Sequence, residues 1–139
     1  FRIGRAHRIR SGSDVTVVAC GETVHHAVAA AEDLSRDGVS VDLLDMHTLK
    51  PFDREGVLES VGRTGAVVTV EEHSVNGGLG AAVAELLGQE LPTPMRIIGF
   101  PDKFLESGSG AELFEHHGIS AAGIVSKAKE LLEGGVRRA

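Results

Sequence analysis

The stretch from residue 67 to residue 80 reads Val67-Val68-Thr69-Val70-Glu71-Glu72-His73-Ser74-Val75-Asn76-Gly77-Gly78-Leu79-Gly80. Its first four residues are β-branched, and its glycine-rich end leads into a helical spacing of apolar residues from Leu79 to Leu87. This order of strand, glycine-rich turn and helix is typical of the central unit of an open α/β sheet. Because the strand is apolar at consecutive positions, we expect helices to bury both of its faces.

Strands and helices are predicted to alternate on either side of this unit, in one domain over residues 1–139. Further strands are predicted at 15–20, 39–46 and 95–100, with a basic edge strand within 1–10. Ser40 and Asp42 interrupt the strand at 39–46, which indicates a wetter face near its start. Asp53 and Ser120 are predicted to cap helices, and Gly38 to end one. A turn at 107–110 and a frayed tail at 134–139 complete the prediction.

Composition excludes several functional classes. The net charge is −6, which disfavours a nucleic-acid surface. The single Cys20 cannot form an internal disulfide and fits a reducing compartment such as the cytoplasm. No apolar run approaches the roughly 18 residues of a membrane span, and no signal peptide is visible. Because the chain starts at Phe1 rather than at Met, we expect it to be a piece of a longer protein.

The glycine-rich turn is a candidate anion site. Gly77, Gly78 and Gly80 would expose backbone N–H groups at a helix N-terminus, and Lys50 is predicted at the same edge of the sheet. The pattern matches neither the dinucleotide fingerprint nor a P-loop. Two plainer explanations compete with it: the glycines allow a positive-φ turn and close packing of the helix, and Lys50 extends into solvent.

Glu71, Glu72 and His73 form a candidate acid–base group, because a carboxylate can orient and charge an imidazole. Neighbouring residues of a strand point to opposite faces, so at most two of the three share a side. No nucleophile stands elsewhere at a recognisable spacing from a base. We therefore favour polar contacts across an interface for these residues.

Two histidine pairs, His25-His26 and His116-His117, suggest a metal site at first sight. Helical zinc ligands are spaced so that they share a face, as at i and i+4, and neither pair has that spacing. We interpret all four histidines as surface or cap residues and predict no metal site.

Four stretches together are similar to one known family. They are Gly4-Arg5-Ala6 with Gly12-Ser13-Asp14-Val15-Thr16 and Ala19-Cys20-Gly21; Thr48-Leu49-Lys50-Pro51-Phe52-Asp53; Val68 to Glu72 with Gly77-Gly78-Leu79-Gly80; and Gly99-Phe100-Pro101-Asp102-Lys103-Phe104 with Ser107-Gly108 and Gly118-Ile119. Their order and spacing, from about Phe1 to Glu133, resemble the C-terminal domain of transketolase-like thiamine diphosphate enzymes. That group includes transketolases, deoxyxylulose-phosphate synthases and the β chains of 2-oxo acid dehydrogenases.

The resemblance implies a three-layer α/β/α open sheet of about five strands, mostly parallel, with the first strand antiparallel. It also implies that two other domains hold thiamine diphosphate and magnesium, so that this chain binds no cofactor and has no catalytic residues of its own. No Gly-Asp-Gly metal motif occurs in the sequence. The Thr-x-Lys-Pro-x-Asp stretch at 48–53 looks most like the split transketolases.

Three functional hypotheses follow from the resemblance and the candidate residues. The first is an assembly domain that braces the dimer of a transketolase and works with its N-terminal, cofactor-binding section. The second is a partner-docking domain of a 2-oxo acid dehydrogenase E1 β chain. The third is a regulatory anion or nucleotide site at Gly77–Gly80, with Lys50 and His73 nearby.

Overall fold

A computed structural model describes residues 2–74, 77–101 and 110–134. The strands and helices follow in this order: β1 (His7–Arg10), β2 (Val15–Ala19), α1 (Thr23–Arg36), β3 (Val41–Asp45), α2 (Arg54–Thr64), β4 (Val67–Ser74), α3 (Leu79–Glu90), β5 (Met95–Phe100), α4 (Gly110–His116) and α5 (Ala121–Glu133). The predicted turn at 107–109 and the tail at 135–139 lie outside the described residues. Within those residues, no helix has the length and apolarity needed to cross a membrane.

The five strands form one sheet in the order β1-β3-β2-β4-β5. β1 pairs with β3 antiparallel, and the other neighbours are parallel. One apolar core packs α1 and α5 against the sheet, with Leu34 and Ile124 among its buried residues. The second core packs α2 and α3 against the sheet around Val61 and Val83. This architecture confirms the predicted fold class, including the antiparallel first strand.

Local side-chain chemistry sets the helix ends that the sequence indicates. The Asp53 carboxylate accepts hydrogen bonds from Gly56 N at the start of α2 and from Ala6 N, which ties the chain before β1 to this helix. Ser120 Oγ accepts from Gly123 N at the start of α5. α1 is followed by Gly38 with a φ of 79°. The predicted caps and the predicted stop are confirmed.

The start of β3 is not the wet face that Ser40 and Asp42 suggested. Asp42 is fully buried, and its carboxylate accepts hydrogen bonds from Gly12 N and Ser60 Oγ. Nη2 of Arg63 lies 2.8 Å from the same carboxylate. The prediction was wrong because a paired and fully hydrogen-bonded carboxylate can stand in a buried position that an unpaired one could not.

The sheet order places β2 and β4 side by side, at the point where the order in which the chain adds strands to the sheet changes direction. From β2 it runs through α1 to β3 on one side, and from β4 through α3 to β5 on the other. Open α/β sheets bind ligands outside the carboxyl ends of strands at such a switch point. Here that edge carries Cys20 after β2, Glu71 to His73 in β4, and the N-termini of α1 and α3.

Candidate functional site at the carboxyl edge of the sheet

A cleft of about 330 Å³ lies at this switch point. Its lining residues are Cys20, Gly21, Glu22, Leu49, Glu71, Glu72, His73, Gly77 and Gly78. The structure thus brings together most of the residues that the sequence singled out. Lys50 is exposed and lies outside this lining, which its neighbour Leu49 joins instead, and Gly80 is buried in the first turn of α3.

The N-terminus of α3 binds a carboxylate of the chain itself. Glu71 is only 2% exposed, and its two carboxylate oxygens accept hydrogen bonds of 2.8 Å each from Leu79 N and Gly80 N. These N–H groups are the donors that a helix leaves unpaired at its start, and the helix dipole favours a negative charge there. An external anion at this position would have to displace Glu71.

Each of the three glycines has a steric role in this arrangement. Gly77 has a φ of 77°, in the left-handed region. A Cβ at Gly78 would collide with the Glu71 carboxylate. A Cβ at Gly80 would stand 2.5 Å from Cγ2 of Ile97 and 2.9 Å from Oγ1 of Thr69, so glycine lets α3 approach the sheet. Turn geometry and close packing therefore account for the glycines, and binding of an outside anion stays a prediction.

Glu71 and His73 are the members of the acid–base candidate that lie close together. His73 Nδ1 is 3.8 Å from the Glu71 carboxylate, which is longer than a hydrogen bond, and the His73 side chain is 58% exposed. Glu72 is exposed and also lines a second cleft, of about 370 Å³, with His25, His26 and Phe114. The assignment of Glu72 and His73 to an interface stays a prediction.

Cys20 is a poor nucleophile in this site. Burial, reinforced by the nearby carboxylates of Glu71 and Asp45, raises the pKa of its thiol to about 11. Because the thiolate is the reactive form, Cys20 stays protonated and unreactive at neutral pH.

A chain of ring contacts that the sequence did not predict begins at the second cleft, where His25, His26 and Phe114 line the wall. A chain of ring contacts joins the two histidine pairs: His25 to His26 with ring centroids 4.0 Å apart, His26 to Phe114 at 6.3 Å, Phe114 to Phe100 at 5.9 Å, Phe100 to His117 at 5.6 Å, and His117 to His116 at 4.8 Å. The first pair lies in α1, and the second consists of the last residue of α4 and the residue after it. The two pairs are far apart in sequence, and no local pattern predicts their meeting. Among the described residues, no group of three or more His, Cys, Asp or Glu side chains is placed to hold a metal ion.

Burial and the neighbouring His25 lower the pKa of His26, while the carboxylate of Glu115 acts in the opposite direction. The second cleft therefore holds a neutral imidazole between α1 and α4 at neutral pH.

A mixed five-stranded sheet between two helix layers places the chain in the class of three-layer α/β domains. A family model described as the C-terminal domain of transketolase matches residues 4–124. The chain therefore belongs to the transketolase C-terminal domain family, which confirms the resemblance. Enzymes of this family use thiamine diphosphate.

Several relatives match almost the whole chain. The 6-deoxy-6-sulfo-D-fructose transketolase subunit SqwH of Clostridium sp. (strain MSTE9) is 47% identical over 133 residues, which are 96% of this chain and 41% of that protein. An apulose-4-phosphate transketolase subunit of Phocaeicola vulgatus is 42% identical, over 96% of this chain and 42% of that protein. The 1-deoxy-D-xylulose-5-phosphate synthase of Heliobacterium modesticaldum is 39% identical, over 99% of this chain and 21% of that protein.

A solved structure of a split-gene transketolase, an inactive β4 tetramer, matches with a TM-score of 0.91 and 43% identity. The match covers 99% of this chain and 45% of that one. The chain thus spans less than half the length of each of these relatives.

Proposed function

We propose that this chain is the C-terminal assembly domain of a transketolase that transfers a two-carbon ketol unit between sugar phosphates. The observation that carries the proposal is the Glu71 carboxylate bound by the first N–H groups of α3. At the position where α/β sheets place their ligands, a buried carboxylate of this domain binds the N-terminus of its own helix. The domain then contributes structure to the enzyme and is not catalytic in isolation.

Thiamine diphosphate and magnesium are proposed to bind to the other domains of the enzyme. The described residues at the switch point fit a diphosphate poorly, because Glu71 fills the helix N-terminus and Glu22 and Glu72 add negative charge to the rim. Lys50, the one cation predicted at this edge, is outside the cleft lining. These observations support a domain that binds no cofactor.

The proposed partners are an N-terminal, cofactor-binding section of transketolase and a second copy of the assembled subunit, in the cytoplasm. Two observations support an assembly role. The chain covers only 45% of the similar split-gene transketolase chain, and that protein is an inactive β4 tetramer. A subunit of this type that assembles without being active supports a division of the enzyme into one part that serves assembly and another part that carries the reaction.

The test uses the chain alone and the chain mixed with a transketolase section that carries the cofactor site but lacks its own C-terminal domain. By calorimetry the chain alone should show no binding of thiamine diphosphate with magnesium, and by coupled assay no turnover of xylulose phosphate. The mixture should form a complex in sedimentation velocity. Stoichiometric cofactor binding or turnover by the chain alone would overturn the proposal.

The two alternatives stay predictions with their own tests. A docking domain of a dehydrogenase β chain should be retained by an immobilised peripheral-subunit-binding domain. A regulatory anion site should raise the melting temperature in millimolar sulfate, sugar phosphate or nucleotide.

A further inference from the structure

The connection between α1 and β3 contains Asp37-Gly38, the one place in the chain where an aspartate precedes a glycine. In such a pair the main-chain nitrogen of the glycine can attack Cγ of the aspartate, because glycine has no side chain to hinder the approach. A C–N bond forms, a C–O bond of the protonated carboxyl breaks, and its OH leaves as water with the proton of the N–H. Water then opens the resulting succinimide ring at either carbonyl, which gives aspartate or isoaspartate. The net reaction is an isomerisation that needs no reactant besides water.

Solvent reaches both groups that would react. Asp37 and Gly38 are exposed, and the Asp37 side chain keeps 51% of its surface in water. Gly38 also lines a cleft of about 430 Å³, together with Val39 and Leu131. Burial therefore does not protect this pair, and its fate in the folded chain depends on how the two residues are held.

The end of α1 holds the Gly38 nitrogen away from the Asp37 side chain. Gly38 N donates a hydrogen bond to Ser35 O at 3.1 Å, and Val39 N donates to Leu34 O at 2.9 Å. The ψ of Asp37 is 11°, so the Gly38 nitrogen nearly eclipses the Asp37 nitrogen. Closure of the five-membered ring needs the Gly38 nitrogen to eclipse Cβ of Asp37 instead. That rotation would break the hydrogen bond to Ser35.

Lys129 of α5 holds the Asp37 carboxyl in its charged form. Its Nζ donates a hydrogen bond of 2.7 Å to Oδ2 of Asp37. This hydrogen bond first, and then the charge of Lys129, lower the pKa of the Asp37 carboxyl, with a smaller contribution from the charge of Arg36. Because an oxygen leaves as water only from the protonated acid, the paired carboxylate is the unreactive form.

We propose that Asp37-Gly38 is a site of isoaspartate formation, and that Lys129 together with the closing hydrogen bonds of α1 keeps it unmodified in the folded chain. The product carries Cβ of Asp37 in the main chain, which lengthens the connection between α1 and β3 by one atom. The last turn of α1 also carries Leu34, which is fully buried in the core shared with α5. Modification therefore acts on a packed part of the domain. The proposal does not depend on the assembly role.

The experiment incubates the chain at mildly acidic pH, in buffer and in guanidinium chloride, and measures isoaspartate at residue 37 by peptide mapping with mass spectrometry. Isoaspartate should form in the denaturant, and about tenfold or more slowly in buffer, because the folded chain must first open the end of α1. Lys129→Ala should raise the rate in buffer about two- to fivefold, the range expected for the loss of an exposed ion pair. Lys129→Arg should retain most of the protection, because it keeps the charge.

Lys127→Ala is the matched control, because Lys127 also lies in α5 but pairs with Glu130. It should leave the rate unchanged, and circular dichroism should show that all variants fold. Absence of isoaspartate at residue 37 in the denaturant overturns the site, and equal rates in buffer and denaturant overturn the protection by the fold. A Lys129→Ala variant that reacts no faster than the unsubstituted chain, or no faster than Lys127→Ala, overturns the role of Lys129.

Discussion

The substitution Glu71→Gln should destabilise this domain more than a substitution of any exposed residue at the same edge. The carboxylate is 2% exposed and accepts from Leu79 N and Gly80 N at 2.8 Å. A hydrogen bond to a charged group contributes about 1.5–3 kcal/mol, and an amide keeps one acceptor while turning an NH2 group toward the second N–H. Together with the lost charge at the helix N-terminus, we expect the free energy of unfolding to fall by about 3 kcal/mol. For a domain of this size that corresponds to roughly 10 °C in melting temperature.

Urea denaturation followed by circular dichroism measures the effect, with Glu72→Gln as the control. Glu72 is the next residue of the strand and is exposed, so its amide should change stability by less than about 0.5 kcal/mol. Equal effects of the two amides would refute the structural role of Glu71.

Glu71→Ala extends the same reasoning. Removing the carboxylate should leave the α3 N-terminus open to an outside anion, so sulfate at about ten times its dissociation constant should restore about 1.4 kcal/mol in this variant. The unsubstituted chain should respond much less, because Glu71 competes for the same N–H groups.

Three further perturbations test packing and ionisation. Gly80→Ala should destabilise the domain by about 1–3 kcal/mol in urea denaturation, because the added Cβ would press on Ile97. Gly88 faces open space on α3, so Gly88→Ala should stabilise the domain by about 0.5–1 kcal/mol. A Gly80→Ala variant more stable than the Gly88→Ala variant would contradict the packing of α3. Cys20, with a pKa of about 11, should react with iodoacetamide near pH 8 far more slowly in the folded chain than in urea, and equal rates would contradict its burial. The pKa of His26 in the folded chain lies below its ordinary value of 6.5, so as the pH falls His26 is protonated in the unfolded chain before it is protonated in the folded one. Protonation of His26 should therefore lower the free energy of unfolding as the pH falls below about 6.5. His26→Gln should flatten that loss, and an NMR midpoint above 6.5 would contradict the cause given.

The fold was predictable because the signals that set it are local. The consecutive apolar residues of β4 indicate a strand buried on both faces, and Asp53 and Ser120 mark helix starts through their own side chains. The antiparallel β1 came from the family resemblance alone, since nothing in its four residues sets a direction.

The site was only partly predictable, because its contacts join distant parts of the chain. The sequence placed carboxylates beside a glycine-rich turn, but it did not show that Glu71 would bind the turn's N–H groups. From the sequence, Asp42 indicated a solvent-exposed face. Its partners Ser60 and Arg63 lie in α2, and the sequence did not show that they pair with the Asp42 carboxylate. The rings of α1 and α4 meet only through tertiary packing, which no spacing within either helix encodes.

The antiparallel β1 has a practical consequence for anyone who labels or tethers this domain. The residues before β1 lie at the carboxyl edge, beside Pro51 and Asp53, whereas Leu131 and Leu132 near the end of α5 line a cleft with Gly38 and Ala66 at the opposite edge. An affinity tag or fluorophore joined ahead of residue 2 would therefore be attached at the carboxyl edge, the edge that holds the clefts. The same group attached after α5 would be attached at the opposite edge and would leave the carboxyl edge clear.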